Sequence, residues 1–172
     1  NFDKRAGDIV NKFFDNSWIH APVVAGKSPG AFAASTVPSA HPFILVNYQG
    51  KARDIATLAH ELGHGIHQYL AGRKQTYFNS STPLTLAETA SVFGEMLTFK
   101  SLLSLTTKVN ERKGLLANKV EDMLNTVVRQ IAFFEFEKRI HYQRKIKELS
   151  VNQICEIWTM KHTRKYSLSW SY

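Results

Sequence analysis

The chain has 172 residues, of which 44% are hydrophobic and 21% charged, and its formal net charge at pH 7 is +8. This composition is that of an ordinary globular protein, and the single cysteine excludes an intramolecular disulfide and suits a reducing compartment. No apolar run approaches the roughly 18–20 residues of a membrane span, and no secretory signal pattern opens the chain. We therefore expect a cytoplasmic location and no membrane partner.

The first part of the chain predicts one helix followed by a small sheet. Apolar residues at helical spacing predict an amphipathic helix over residues 3–16, and prolines and glycines indicate a loop over residues 20–30. Residues 31–36 are a weak strand candidate, whereas the apolar run 43–48 is a strong one. A hairpin of these strands could present an edge to which an extended peptide adds, or it could simply pack on the next helix.

Residues 54–71 predict one helix, because apolar residues recur there at every third or fourth position. This helix contains His60-Glu61-Leu62-Gly63-His64. Histidines four residues apart lie one turn apart on the same helix face, so both imidazoles can reach one Zn²⁺. The glutamate after the first histidine lies beside the open metal position and can take a proton from zinc-bound water. The spacing is the H-E-x-x-H signature of zinc peptidases, although a buried helix with incidental histidines is the alternative.

Three glycines and one aspartate predict how this helix packs and where it begins and ends. Gly63 and Gly65 lie inside it, where each glycine costs about 1 kcal/mol relative to alanine. That cost predicts the close approach of another backbone, strand or substrate. Asp54 is expected near the N-cap, and Gly72 is expected just beyond the last turn.

Three further helices are predicted after a polar connection at residues 72–83. They span residues 84–106, 110–149 and 151–162. The long middle helix carries apolar residues at helical spacing, which predict a buried stripe formed by Leu116, Val120, Met123, Val127, Ile131 and Phe134.

A catalytic zinc usually has three protein ligands, so the two histidines need a partner. His67 lies seven residues after His60, which is about 10.5 Å along the helix axis, too far for both to bind one ion together with His64. We interpret His67 as a hydrogen-bonding or substrate-side histidine, or as a packed one.

Glu88, on the next helix, is the better candidate for the third ligand. It is flanked by small and apolar residues, where an unpaired carboxylate would be costly to bury and a metal ion would offset that cost. Ser91 and Glu95 follow on the same helix face. Because ligating histidines usually donate their second N–H to a carboxylate or carbonyl, Glu95 is a candidate partner for one of them, with a surface residue as the alternative.

These residues also carry a family resemblance. The segments 60–67 and 82–97 resemble the oligoendopeptidase F and thimet oligopeptidase family of zinc endopeptidases, and the likeness continues through other segments up to about residue 158. The resemblance implies a mainly α fold with a small β-sheet, which is the zincin-like catalytic core of a helical oligopeptidase. It implies one Zn²⁺ per chain held by His60, His64 and Glu88, with Glu61 as the general base.

The resemblance implies a zinc-dependent endopeptidase that hydrolyses short oligopeptides. Because family members are several times longer, we expect residues 1–172 to be a partial catalytic domain, without the family's upstream helical region and downstream substrate-binding segment. The alternative is a truncated, catalytically silent zinc-binding or peptide-binding remnant. A nucleic-acid partner is not expected, because the basic residues of 138–147 alternate with acids on a helix that has no aromatic stacking platform. The sequence does not define an oligomeric state.

Overall fold

The computed structural model describes residues 2–165, and it describes the side chains of residues 2–159. The chain divides into two compact units at the boundary between Thr107 and Lys108. Within the described range, no helix has the length and apolar character needed to cross a membrane. The predicted fold class is confirmed, because the structure is mostly helical and has a single small sheet in its described part.

In the part of the chain that the structure describes, unit 1 contains three α-helices and three short strands, and unit 2 contains two α-helices. The elements are α1 (Lys4–Asp15), β1 (Ile19–His20), β2 (Phe32–Ala34), β3 (Phe43–Leu45), α2 (Ala52–Lys74), α3 (Leu84–Leu105), α4 (Val109–Arg144) and α5 (Val151–Lys165). A single 3₁₀ turn, Tyr77–Asn79, lies in the predicted connection between α2 and α3.

The three strands form one sheet in the order β1–β3–β2. The predicted hairpin is present, because β2 pairs antiparallel with β3. Its strands are three residues each, and thus shorter than predicted. The parallel strand β1 was not predicted, since residue 20 was assigned to a loop and a two-residue strand has no readable periodicity.

The loop after β1 is held by one lysine. Lys27 Nζ donates to the carbonyl oxygens of His20, Pro22 and Val46 at 3.1, 2.7 and 2.6 Å. The half-buried ammonium thereby uses its three N–H groups on main-chain acceptors that would otherwise need water.

The core of unit 1 forms where α1, β3 and α2 meet. Buried apolar residues from these elements and the residue after β3 form one cluster, which consists of Ile9, Phe13, Ile44, Val46, Leu62 and Tyr69. The predicted apolar face of α1 is therefore buried at Ile9 and Phe13, whereas Phe14 is 54% exposed.

Glycines allow α2 to pack closely on its neighbours, as predicted. A Cβ built at Gly63 would lie 2.5 Å from the Ala90 carbonyl oxygen on α3, and one at Gly65 would lie 2.7 Å from the Phe13 ring. Gly72 does not end the helix, which continues to Lys74. A Cβ there would make an ordinary contact with Pro38 at 3.4 Å, so the loop leaves room for a side chain. Asp54 lies at the third helical position rather than at the cap, which is Lys51.

In unit 2, α4 ends at Arg144, five residues before the predicted end, and α5 follows after a turn. The predicted buried stripe of α4 is wrong for the described structure. Its six members are 43–61% exposed. Within unit 2 the aromatic contacts of α5 are made near the C-terminal end of α4, where Trp158 packs on Phe133 and Phe136. An apolar stripe identifies the face that a helix can bury, but it does not supply the element that covers it.

Candidate metal centre

The packing of α2 on α3 brings three predicted ligands together. His60 and His64 lie one turn apart on α2, and Glu88 projects from the second turn of α3. Glu88 Oε2 lies 3.2 Å from His60 Nε2 and 3.5 Å from His64 Nε2. One donor atom from each of the three residues lies within 4.8 Å of the other two.

These spacings suit a tetrahedral zinc site. Zinc binds histidine nitrogen and carboxylate oxygen at about 2.0–2.2 Å, so two ligands at a tetrahedral angle lie about 3.4 Å apart. The two nitrogen–oxygen distances, 3.2 and 3.5 Å, bracket that value. The donor set of two imidazoles and one carboxylate is also one that catalytic zinc uses with its fourth position open. The residues present therefore fit the metal.

Glu88 is exposed, and the burial predicted for it from the sequence is wrong. Its side chain is 57% exposed, whereas those of His60 and His64 are 26% and 15% exposed. The carboxylate is oriented instead by the fully buried Ser91, whose hydroxyl lies 2.7 Å from Glu88 Oε2. That hydroxyl also lies 3.0 Å from the Glu88 carbonyl oxygen, so the serine bridges one helical turn of α3.

Glu95 lies against the side of His60 that faces away from Glu88. The His60 Nδ1 and Glu95 Oε1 atoms are 3.0 Å apart, and the Glu95 side chain is 24% exposed. This hydrogen bond is the main reason why the pKa of His60 is raised, with the charge of Glu88 adding to it and burial opposing it. A proton kept on Nδ1 leaves the Nε2 lone pair directed at the three-donor group, which is the tautomer that metal binding requires.

His64 and Glu61 are less exposed than His60. Burial lowers the pKa of His64, which favours the neutral imidazole needed for a metal ligand. Glu61 is only 6% exposed, and burial raises the pKa of its carboxyl group. A main-chain hydrogen bond from Ala33 on β2 opposes that rise. Glu61 thus lies between the sheet and the face of α2 that carries His60 and His64.

His67 lies outside the three-donor group, as the helical rise predicts. It is half-buried, and its charge contributes to the lowered pKa of His64. Gln68 was not predicted as part of the site, and its side-chain amide donates to the Ala33 carbonyl at 3.2 Å. Its position seven residues after Glu61 places it on the same helix face, and this spacing could have identified it.

A helix-borne H-E-x-x-H segment with a glutamate from the next helix is the ligand arrangement typical of the H-E-x-x-H class of metallopeptidases. Comparison with known proteins gives the family. Residues 3–171 match the model of peptidase family M3, and the chain belongs to that family. The resemblance is confirmed, and the match extends beyond the limit near residue 158 that the sequence analysis predicted.

Named relatives and solved structures agree with this assignment. The chain is 35% identical over 140 residues to the chromosomal oligoendopeptidase F of Lactococcus lactis subsp. cremoris, covering 81% of this chain and 23% of that protein. It is 32% identical over 159 residues to an oligoendopeptidase F homologue of Borreliella burgdorferi, covering 92% and 27%. A crystal structure from Chlamydophila abortus, provisionally assigned as a peptidase, superposes with a TM-score of 0.71 at 29% identity and covers 81% of this chain and 24% of that one. The chain thus spans about a quarter of the length of these proteins.

Proposed function

We propose that this chain supplies the zinc-binding part of the catalytic domain of an endopeptidase that hydrolyses peptide bonds in short oligopeptides. The observation that carries the proposal is the convergence of His60 Nε2, His64 Nε2 and Glu88 Oε2 beside the buried carboxyl group of Glu61. Membership of peptidase family M3 supports the reaction class, and the names of the relatives, oligoendopeptidase F, support the substrate class.

In this proposal the α2–α3 pair holds one zinc ion through His60, His64 and Glu88. When bound, zinc supplies a Lewis acid that makes water more acidic and polarises a peptide carbonyl. Ser91 and Glu95 are positioning residues. Ser91 fixes the Glu88 carboxylate, and Glu95 fixes the tautomer and ring orientation of His60.

Glu61 is the proposed general base. Its buried carboxyl group has a raised pKa, so it holds a transferred proton better than an exposed glutamate would. It takes a proton from the attacking water and passes it to the leaving amine as the peptide bond breaks. Because Glu61 contacts β2, the proposed proton transfer would take place at the edge of the sheet.

The edge of β2 is the proposed docking site for the peptide backbone. Ile44 N–H points to β1, where it donates to the Trp18 carbonyl, so its antiparallel partner Ala33 directs its own N–H and carbonyl away from β3. These Ala33 groups face Glu61 and Gln68 on α2. An extended peptide that adds to β2 at Ala33 would have to replace these two hydrogen bonds, and it would then lie beside the general base.

The test is chelator-sensitive cleavage of a quenched fluorescent oligopeptide by the zinc-loaded chain. Glu61→Gln is expected to abolish cleavage and to retain zinc, because it removes the base and leaves the three ligands intact. Glu111→Gln, an exposed glutamate of unit 2, is the control and should cleave like the parent chain. Full activity of Glu61→Gln would refute the assigned base. Zinc binding by the parent chain without cleavage would favour the alternative, a zinc-binding or peptide-binding module without turnover.

A further inference from the structure

A cleft of about 380 Å³ in unit 1 lies on the opposite side of α2 from the candidate metal centre. Its wall includes the cationic side chains of Lys12 and Arg73 and the hydroxyl of Ser39. It also includes the rings of Trp18, His41 and Tyr69. Nine residues separate His64 from Arg73, and nine separate His60 from Tyr69. At 3.6 residues per turn, a step of nine residues is two and a half turns. Arg73 and Tyr69 therefore lie on the opposite face of α2 from His64 and His60, and the cleft is separate from the proposed zinc ligands.

Tyr69 places the two cations close to each other. Its side chain is 9% exposed, and its hydroxyl oxygen accepts a hydrogen bond from Lys12 Nζ at 2.8 Å. The guanidinium carbon of Arg73 lies 3.9 Å from the centre of the same ring. An ammonium has three N–H donors and a guanidinium has five, so both groups keep donors that Tyr69 does not use.

The cleft is electropositive. Burial alone would raise the pKa of the Tyr69 hydroxyl, but the hydrogen bonds with Lys12 and Arg73 outweigh burial and hold that pKa below its ordinary value. Among the described residues, no carboxylate forms an ion pair with Lys12 or Arg73. Asp8 and Asp15 lie one turn from Lys12 on α1, but neither lines the cleft.

The chemistry of this wall favours a multiply charged oxyanion. Two positive charges around one tyrosine repel each other, and an anion between them relieves that repulsion. Arg73 offers the planar fork that binds two oxygens at once, Lys12 offers a point charge, and the exposed Ser39 offers a hydroxyl donor. A phosphate group, with close to two negative charges at neutral pH, matches two cations better than a singly charged carboxylate does.

We propose that this cleft binds a phosphate group, either as inorganic phosphate or as the phosphate group of a small organic molecule. Arg73 binds two phosphate oxygens, Lys12 binds a third, and Tyr69 holds the two cations in place. The site goes beyond the proposed peptidase function and does not depend on it, because the cleft and the three-donor group lie on opposite faces of α2.

The test is calorimetric titration of the full chain in zinc-free buffer at constant ionic strength, first with inorganic phosphate and then with glycerol 3-phosphate. Zinc-free buffer prevents phosphate from binding as a metal ligand, and constant ionic strength removes general screening. Saturable binding of one phosphate per chain is expected. Tighter binding of glycerol 3-phosphate would identify an organic phosphate as the ligand, and tighter binding of inorganic phosphate would identify the free anion.

Substitutions then locate the site. Arg73→Gln should raise the dissociation constant about tenfold or more, because it removes a charge-assisted bidentate contact. Lys74→Gln removes the same charge from the neighbouring exposed position outside the cleft and should change the constant less than about twofold. If thermal unfolding shows that Arg73→Gln is destabilised, Arg73→Lys keeps the charge, loses the fork and should still weaken binding. Absence of saturable binding, or equal weakening by Arg73→Gln and Lys74→Gln, would overturn the proposal.

Discussion

Replacing Gly63 with alanine would add one methyl group at the tightest contact between α2 and α3. A Cβ at this position would lie 2.5 Å from the Ala90 carbonyl oxygen and 2.6 Å from Ser91 Cα. Both are main-chain atoms, so no side-chain rotation relieves the overlap. The helices would have to separate by at least 0.5 Å for the shorter distance to reach the 3.0 Å that real Cβ atoms respect.

The cost of this separation can be estimated. Overpacking a core contact costs about 1–3 kcal/mol, and alanine regains up to about 1 kcal/mol of helix propensity over glycine. We therefore expect Gly63→Ala to lower the free energy of unfolding by up to about 2 kcal/mol. Because Ser91 moves with α3 and orients Glu88, we also expect zinc affinity to fall by about tenfold or more.

The assay is urea unfolding of the zinc-free chain, together with a zinc titration against a chromogenic chelator. Gly7→Ala is the matched control, because it changes the same group inside α1, where a Cβ would meet nothing within 4 Å. It should stabilise the chain by about 0.4–1 kcal/mol and leave zinc affinity unchanged. Equal stability and equal zinc affinity in Gly63→Ala and the parent chain would refute the reasoning.

Three further predictions concern single side chains. Lys27→Met should lower the free energy of unfolding by about 1.5–3 kcal/mol, because three carbonyls lose a charged donor. The control is Lys4→Met, at an exposed lysine, and an equal effect in the two variants would contradict this prediction. The pKa of Asp54 is lowered by hydrogen bonds from the main-chain N–H groups of Lys51 and Gln49. Its carboxylate therefore stabilises the folded state at pH values above its unfolded pKa of about 3.9. This stabilisation is lost as the pH falls through the lower pKa of the folded state. The melting temperature of Asp54→Asn should therefore lie below that of the parent chain at pH 6, and the gap should close in acid; a gap that widens in acid would give the opposite sign. Glu95→Gln should weaken zinc binding about 10–100-fold by removing the carboxylate partner of His60, and unchanged affinity would show that this contact does not orient the ligand.

Local spacing made part of the candidate site predictable. Helix periodicity alone predicts that His60 and His64 lie on one face. The interior glycines Gly63 and Gly65 predicted close packing against α2, which the structure shows. Glu88 was selected for its chain position and apolar neighbours, yet its carboxylate is half-exposed and oriented by Ser91. The reasoning for Glu88 therefore failed, although the residue does lie beside both histidines.

Features that depend on long-range pairing were not predictable. Strand β1 consists of two residues and exists only because Ile19 and His20 pair with β3. Gly72 resembles a helix stop in the sequence, but α2 continues through it to Lys74, and the loop at Pro38 passes beside it. The apolar stripe of α4 does lie on a single helix, as predicted, but its residues are exposed. Sequence periodicity does not show whether a neighbouring element covers such a stripe.

The central claim is that His60, His64 and Glu88 hold one zinc ion. Its most direct test is the zinc content of the full chain after zinc loading and removal of loosely bound metal, compared with that of His64→Ala and of the control His20→Ala, which changes an exposed histidine outside the three-donor group. We expect about one zinc per chain in the parent and in His20→Ala, and close to none in His64→Ala. Absence of zinc from the parent chain, or full zinc content in His64→Ala, would contradict the proposed metal centre.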